Sequence, residues 1–199
     1  MRQFLSQRFA IVLTVLLSTM LILAPTAALT LTVEGNSYPD TVSVAGKTLK
    51  LVGAGLREKW VFDVYTMAAY SERGSCGAGA QIKKDEVKYL RLDMLRTVDA
   101  EKMASTLKEA FDNNTPANAS QVLKDMVNTF TGYFKKACTK GTKLEFTYVP
   151  GKGTSLKQNG KSLGPNIKGK DFADVLWGCY FSKKTCCPDL KKQILSHCK

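Results

Sequence analysis

The sequence predicts an α+β domain with helices packed on one face of an antiparallel sheet. Three observations predict it. Several segments alternate apolar and polar residues at the strand period, so each has one dry and one wet face. Four others carry apolar stripes at helical spacing. The order is strands, a helical pair, a hairpin and then C-terminal helices, with no βαβ alternation.

Thr41–Val44 and Thr48–Val52 flank Ala45-Gly46-Lys47 and read as a hairpin. Gly53-Ala54-Gly55 then breaks the strand pattern. Trp60 to Tyr70 is aromatic and β-branched, apolar on both faces, and reads as a central covered strand. Glu72 to Ala80 reads as a Gly-rich loop. Val87 to Leu95 is a strand with Leu90, Leu92 and Met94 on one face and Arg91 and Asp93 on the other. Asp99 is a helix N-cap, with Val98 and Met103 as its hydrophobic staple. Leu107, Ala110 and Phe111 continue that face. Asn113-Asn114-Thr115-Pro116 separates it from a second helix carrying Leu123, Met126, Val127, Phe130 and Phe134. Leu144, Phe146 and Tyr148 oppose Lys143, Glu145 and Thr147 on the next strand. Asn159-Gly160 turns a hairpin between Thr154–Gln158 and Lys161–Ile167. Phe172, Val175, Leu176 and Cys179 form a third helical face, and Pro188 opens a last short helix with Leu190, Ile194 and Leu195 inside.

The first 28 residues read as a leader rather than as part of the domain. Arg2 and Arg8 form a positive start, Phe9 to Leu23 is almost wholly apolar, and Pro25-Thr26-Ala27-Ala28 supplies small residues for cleavage. The apolar run is short for a membrane span, which needs about 20 residues. The expectation is therefore a signal peptide over residues 1–28, cleaved after Ala28, and one exported domain over 29–199, periplasmic or secreted. No membrane span is expected once the leader is removed. The remaining length suits a single domain.

The net charge of +12 falls to +10 when Arg2 and Arg8 leave with the leader. The lysines come in scattered pairs, with no interleaving of basic and aromatic residues, so no nucleic-acid partner is expected. Six cysteines in an exported chain suggest disulfides. Cys179, Cys186, Cys187 and Cys198 crowd the C-terminus, so at least one bridge is expected among them, with adjacent Cys186 and Cys187 taking different partners. The spacing leaves the pairing open. A zinc site is a weak alternative, because there is no CxxC pair and His197 is the sole histidine. That single histidine also removes Ser-His and Cys-His nucleophile chemistry except at the C-terminus. Neither Gly53-Ala54-Gly55 nor Gly151-Lys152-Gly153-Thr154 has the spacing or the following helix of a nucleotide loop, so neither a cofactor nor a metal is expected. Asn113 and Asn118 stand in glycosylation sequons.

Taken in order, several runs resemble the chalcone isomerase-like family, most of all its exported, mainly bacterial branch. They are Tyr38-Pro39-Asp40-Thr41-Val42, Gly46-Lys47-Thr48-Leu49, Gly53-Ala54-Gly55-Leu56-Arg57 and Val64-Tyr65, then Leu95-Arg96 before Asp99-Ala100-Glu101-Lys102. Towards the end come Tyr148-Val149-Pro150-Gly151-Lys152-Gly153-Thr154, Asn159-Gly160-Lys161 and Gly169-Lys170-Asp171-Phe172-Ala173-Asp174. The resemblance implies an open-faced β-sandwich, a long antiparallel sheet with a helical layer and a ligand cleft between them. Plant enzymes of the family cyclise chalcones; related non-catalytic members bind fatty acids with an arginine and a tyrosine on the carboxylate. Arg57 falls where the family keeps its GAG-x-R arginine. The places that orient substrate in the plant enzymes hold Tyr65, Asp99 and Thr106 here, all departures from that pattern, which argues against chalcone cyclisation.

Two arginines also stand out on physical grounds. Arg96 continues the apolar face of Leu90, Leu92 and Met94, and so should point to the covered side, where a guanidinium needs an acceptor. A ligand carboxylate would supply a bidentate one; a helix carboxylate is the competing partner. Arg57 is either a ligand contact or a solvated residue, and Tyr65 either a ligand contact or a core aromatic. The candidate ligand-binding residues are Arg57, Tyr65 and Arg96. Two functions follow: binding of a fatty acid or similar small apolar acid, or isomerisation of an unsaturated carbonyl compound by an intramolecular lyase in which Arg57 stabilises charge on oxygen. The oligomeric state is left open.

Overall fold

In the computed structural model, residues 29–198 are described. The expected leader and its cleavage point lie outside the described residues. Among the described residues, nine strands form two sheets. β1 (Thr30–Val33) and β2 (Asn36–Pro39) make a separate hairpin. β3 (Thr41–Val44), β4 (Lys47–Lys59), β5 (Phe62–Ser71), β6 (Lys88–Met94), β7 (Lys143–Val149), β8 (Gly153–Gln158) and β9 (Lys161–Ser162) form one antiparallel sheet in sequence order. The helices are α1 (Ala78–Lys83), α2 (Ala100–Asn114), α3 (Gln121–Thr131), α4 (Lys170–Phe181) and α5 (Pro188–Ser196). None of them is long and apolar enough to cross a membrane.

The larger core lies between the sheet and the helices. Tyr65, Met67 and Ala69 of β5 and Leu90, Leu92 and Met94 of β6 meet Phe111, Phe130, Phe172, Leu176 and Trp177 there. Aromatic edges lock this layer: Phe130 packs against Phe172 with ring centres 5.1 Å apart. The strand alternation places these residues, since neighbours on a strand face opposite ways.

The second face is not uniformly wet as expected. The β1–β2 hairpin covers it over β4 to β6, and Tyr38, Leu49, Ala54, Ala68, Tyr70 and Tyr89 form a smaller core beneath. Tyr38 fixes the hairpin. Its hydroxyl lies 2.6 Å from Thr66 Oγ1 and donates to Asp93 Oδ2 at 2.9 Å. Arg91 donates to the other Asp93 oxygen at 2.8 Å, so the buried carboxylate is paired and hydrogen-bonded, as burial requires.

Four other expectations change. Gly53-Ala54-Gly55 does not break the strand; it lies inside β4. The two glycines face the helical layer, where α5 crosses directly on the backbone. A Cβ on Gly53 would sit 2.1 Å from the Ile194 carbonyl oxygen. The Gln193 side chain completes the dock, accepting from the Leu56 N–H at 2.7 Å. The glycines are thus a seat for the C-terminal helix. Trp60 does not belong to the central strand; it and Val61 form the β4–β5 turn and are exposed. Phe134 lies beyond α3, yet is buried. Part of the Glu72–Ala80 loop also enters α1. Asp99 does stand at the α2 N-cap without a capping bond, whereas Ser120 caps α3 by accepting from the Leu123 N–H at 3.2 Å.

The seat predicts a test. Gly53→Ala should destabilise the domain by about 1–3 kcal/mol, because backbone cannot yield to the new methyl. Gly55→Ala should cost less, because its methyl would meet Gln193 Cβ at 2.7 Å rather than a backbone oxygen at 2.1 Å. Thermal melting of the two variants would contradict this by ranking them the other way.

Candidate functional site

A cavity of about 490 Å3 opens between the sheet and the helices. Strand β4 contributes Arg57 and Lys59, β5 contributes Phe62, Val64 and Tyr65, and β6 contributes Leu92. Its far wall comes from α2 and from α4 with the turn that follows it. The volume lies within the ~300–1,000 Å3 usual for small-molecule sites.

A β-bulge shapes the sheet side. Arg57 pairs with Tyr65 across the two strands, but Glu58 pairs with Asp63, so Val64 is an extra residue. The bulge lets adjacent Val64 and Tyr65 both line the cavity, which a regular strand would forbid. It also sets Arg57 directly beside Tyr65.

The cavity has a dry floor and a charged rim. Tyr65, Leu92, Leu107, Phe134, Phe146, Cys179, Tyr180 and Cys187 are buried around the floor. Lys59, Trp60, Phe62, Arg96 and Lys102 are exposed around the rim. Four cations, Arg57, Lys59, Arg96 and Lys102, line the space against one acid, Asp99. Among the described residues, neither Arg57 nor Arg96 forms a salt bridge. Among the described residues, Arg57 donates only to the neighbouring Glu58 carbonyl.

All three sequence-predicted residues therefore meet at one cavity, and Asp99 and Thr106 line it too. Arg96 differs from expectation in depth. β6 ends at Met94, so the alternation stops before it. It lies exposed on the rim with its guanidinium 4.4 Å from the Phe62 ring centre, a cation–π contact that replaces the expected buried acceptor. No helix carboxylate pairs with it among the described residues.

The cysteines also depart from expectation. No bridge joins Cys179, Cys186, Cys187 and Cys198 to one another. Cys179 lies within α4 and donates to the Val175 carbonyl at 3.3 Å. Cys198 lies beside Cys76, away from the other three. Cys186 and Cys187 face each other with sulfurs 2.6 Å apart, rather than seeking separate partners. Both line the cavity, and Tyr65 places its hydroxyl 3.7 Å from Cys187 Sγ. Donation from Cys186, helped by the nearby Arg57 charge, holds the Cys187 thiol below its ordinary range and pushes Cys186 up. Burial pushes the phenols of Tyr65 and Tyr180 well up, so both are neutral donors at physiological pH.

Sequence reasoning missed the thiol pair as cavity lining, because crowded cysteines in a chain expected to be exported read first as bridges. It also missed Lys59 and Lys102, which no local pattern marks.

The chalcone isomerase-like family model matches residues 30–196. This chain belongs to the chalcone isomerase-like family. The fold agrees: a fatty-acid binding protein of Arabidopsis thaliana superposes with a TM-score of 0.67 over 84% of this chain and 96% of its own, at 16% sequence identity. No curated protein sequence matches. The cavity of this member lies between the sheet and the helical layer, where Arg57, Tyr65 and Arg96 meet.

Proposed function

We propose that this domain binds a fatty acid or a similar apolar carboxylate in its cavity. One observation carries the reading: an apolar cavity holds an arginine, Arg57, with no acidic partner among the described residues. A half-buried guanidinium that lacks a carboxylate partner is open to an anion entering the cavity. A ligand carboxylate meets it with two parallel hydrogen bonds. The alkyl chain then lies along Leu92, Leu107, Phe134 and Phe146. The likeness in fold to a fatty-acid binding protein supports this reading. No cofactor enters it.

The alternative is an intramolecular lyase working on an unsaturated carbonyl compound. It would need donors aimed at the oxygen that gains charge. Arg57 could serve, but the Tyr65 hydroxyl is turned to Cys187, and His197 is exposed at the end of α5. Binding is therefore the favoured reading.

Displacement of a fluorescent fatty acid tests it. Palmitate should compete at least tenfold better than its methyl ester, which lacks the charge; tenfold corresponds to ~1.4 kcal/mol. Equal competition by both would remove Arg57 from the account. Competition by neither would remove the ligand class.

A further inference from the structure

The β4–β5 turn breaks two local rules at once. Two-residue hairpin turns favour asparagine or glycine, which accept positive φ. Here the turn is Trp60-Val61, and Trp60 is held at φ 58°. Bulky apolar residues also normally leave water, yet Trp60 is 88% exposed, Val61 86% and Phe62 50%. Of the five large hydrophobics exposed among the described residues, these three are consecutive. A position that violates both turn chemistry and burial is a place to look for function.

The surroundings say what covers this tip. Trp60 and Phe62 stand on the cavity rim beside Lys59, Arg96 and Lys102. Arg96 lies over the Phe62 ring at 4.4 Å, so charge and apolar surface form one feature. The nearby acids, Glu58 and Asp63, pair across the hairpin one step behind the tip and do not line the cavity. Asp99 is the acid on the cavity side. An apolar wedge with a Trp, collared by cations, matches the chemistry of an anionic bilayer surface: rings at the headgroup level, Lys and Arg on the lipid charges.

We infer that the Trp60-Val61-Phe62 tip docks the domain on anionic lipid bilayers, with the cavity mouth turned to the lipid. Docking in this orientation lets an apolar acid pass between bilayer and cavity without crossing water. The transfer rests on the fatty-acid reading above; the docking does not.

Vesicle binding tests it. Full-length mature protein is sedimented with phosphatidylglycerol–phosphatidylcholine vesicles and with phosphatidylcholine vesicles alone. Binding to the anionic vesicles should be at least tenfold tighter, and should weaken as salt rises. Trp177 is fully buried, so a blue shift in emission, quenched by bromine-labelled acyl chains, reports entry of Trp60. Val61→Asp, at a residue outside the cavity lining, should abolish vesicle binding and leave palmitate displacement unchanged. No binding to anionic vesicles at low salt, or undiminished binding by Val61→Asp, overturns the inference. So does concentration-dependent self-association that Val61→Asp removes, since a second copy would then cover the tip. Vesicle binding without palmitate binding would sustain the docking and sink the fatty-acid reading.

Discussion

Above about pH 10 the domain should lose its fold steeply, because its phenols are held neutral by burial. All seven tyrosines are pushed up from their ordinary value, with burial the leading cause for each. The sign follows from linkage. A group with a raised native value keeps its proton in the folded state while the unfolded chain releases it. Its contribution is therefore complete below the unfolded value, about 10, and is lost as pH climbs towards the native one. Each fully buried phenol contributes up to ~1.4 kcal/mol per pH unit in that window, and the half-buried Tyr133 much less. Several together exceed the ~5–15 kcal/mol of a typical domain within about two units.

Lys88 acts in the opposite sense just below that window. Its amine is fully buried, donating to the Gln81 and Ile82 carbonyls at 3.0 Å each. Burial pulls it down to about 8. The unfolded chain then binds the extra proton between about pH 8 and pH 10, so stability rises there, by at most roughly 3 kcal/mol. The predicted profile climbs gently from 8, peaks near 10 and then collapses. Denaturant melts across this range, with phenolate absorbance followed alongside, would contradict it by showing a flat profile or tyrosines ionising before unfolding. Lys88→Met should remove the climb and keep the collapse.

Much of the fold was legible because the strands alternate cleanly. Leu90, Leu92 and Met94 face the helices as the period-two pattern requires, and the helical stripes around Phe111 and Phe130 pack where their spacing puts them. What local patterns cannot carry is contact between distant segments. Gly53 and Gly55 read as a break, since their purpose is set by α5, some 140 residues later. The cover over Thr66 and Asp93 depends on Tyr38, whose role appears only when the N-terminal hairpin folds back. At the site, Arg57 and Tyr65 were reached by residue type and resemblance; their pairing depends on a bulge at Val64 that nothing in the sequence announces. Arg96 was placed too deep, because the alternation was carried past the end of β6.

Arg57→Met separates a ligand anchor from a structural residue. Methionine keeps much of the bulk and removes the charge. Since Arg57 has no carboxylate partner among the described residues, its loss should orphan nothing, and the melting temperature should stay within the range of a neutral surface change, about 0.5 kcal/mol. The ligand carboxylate loses a charged hydrogen bond worth ~1.5–3 kcal/mol, a ten- to hundredfold drop in affinity. Were Arg57 instead half of a buried ion pair, the same change would cost ~3–5 kcal/mol of stability. An enzyme would show another pattern: turnover of an enone lost while substrate affinity is largely kept.

Calorimetric titration of palmitate into wild type and Arg57→Met, with thermal melts of both, is therefore the most direct measurement. The account predicts unchanged melting and ten- to hundredfold weaker binding for the variant. Equal affinity in the two proteins, or a variant that melts early without losing affinity, would contradict it.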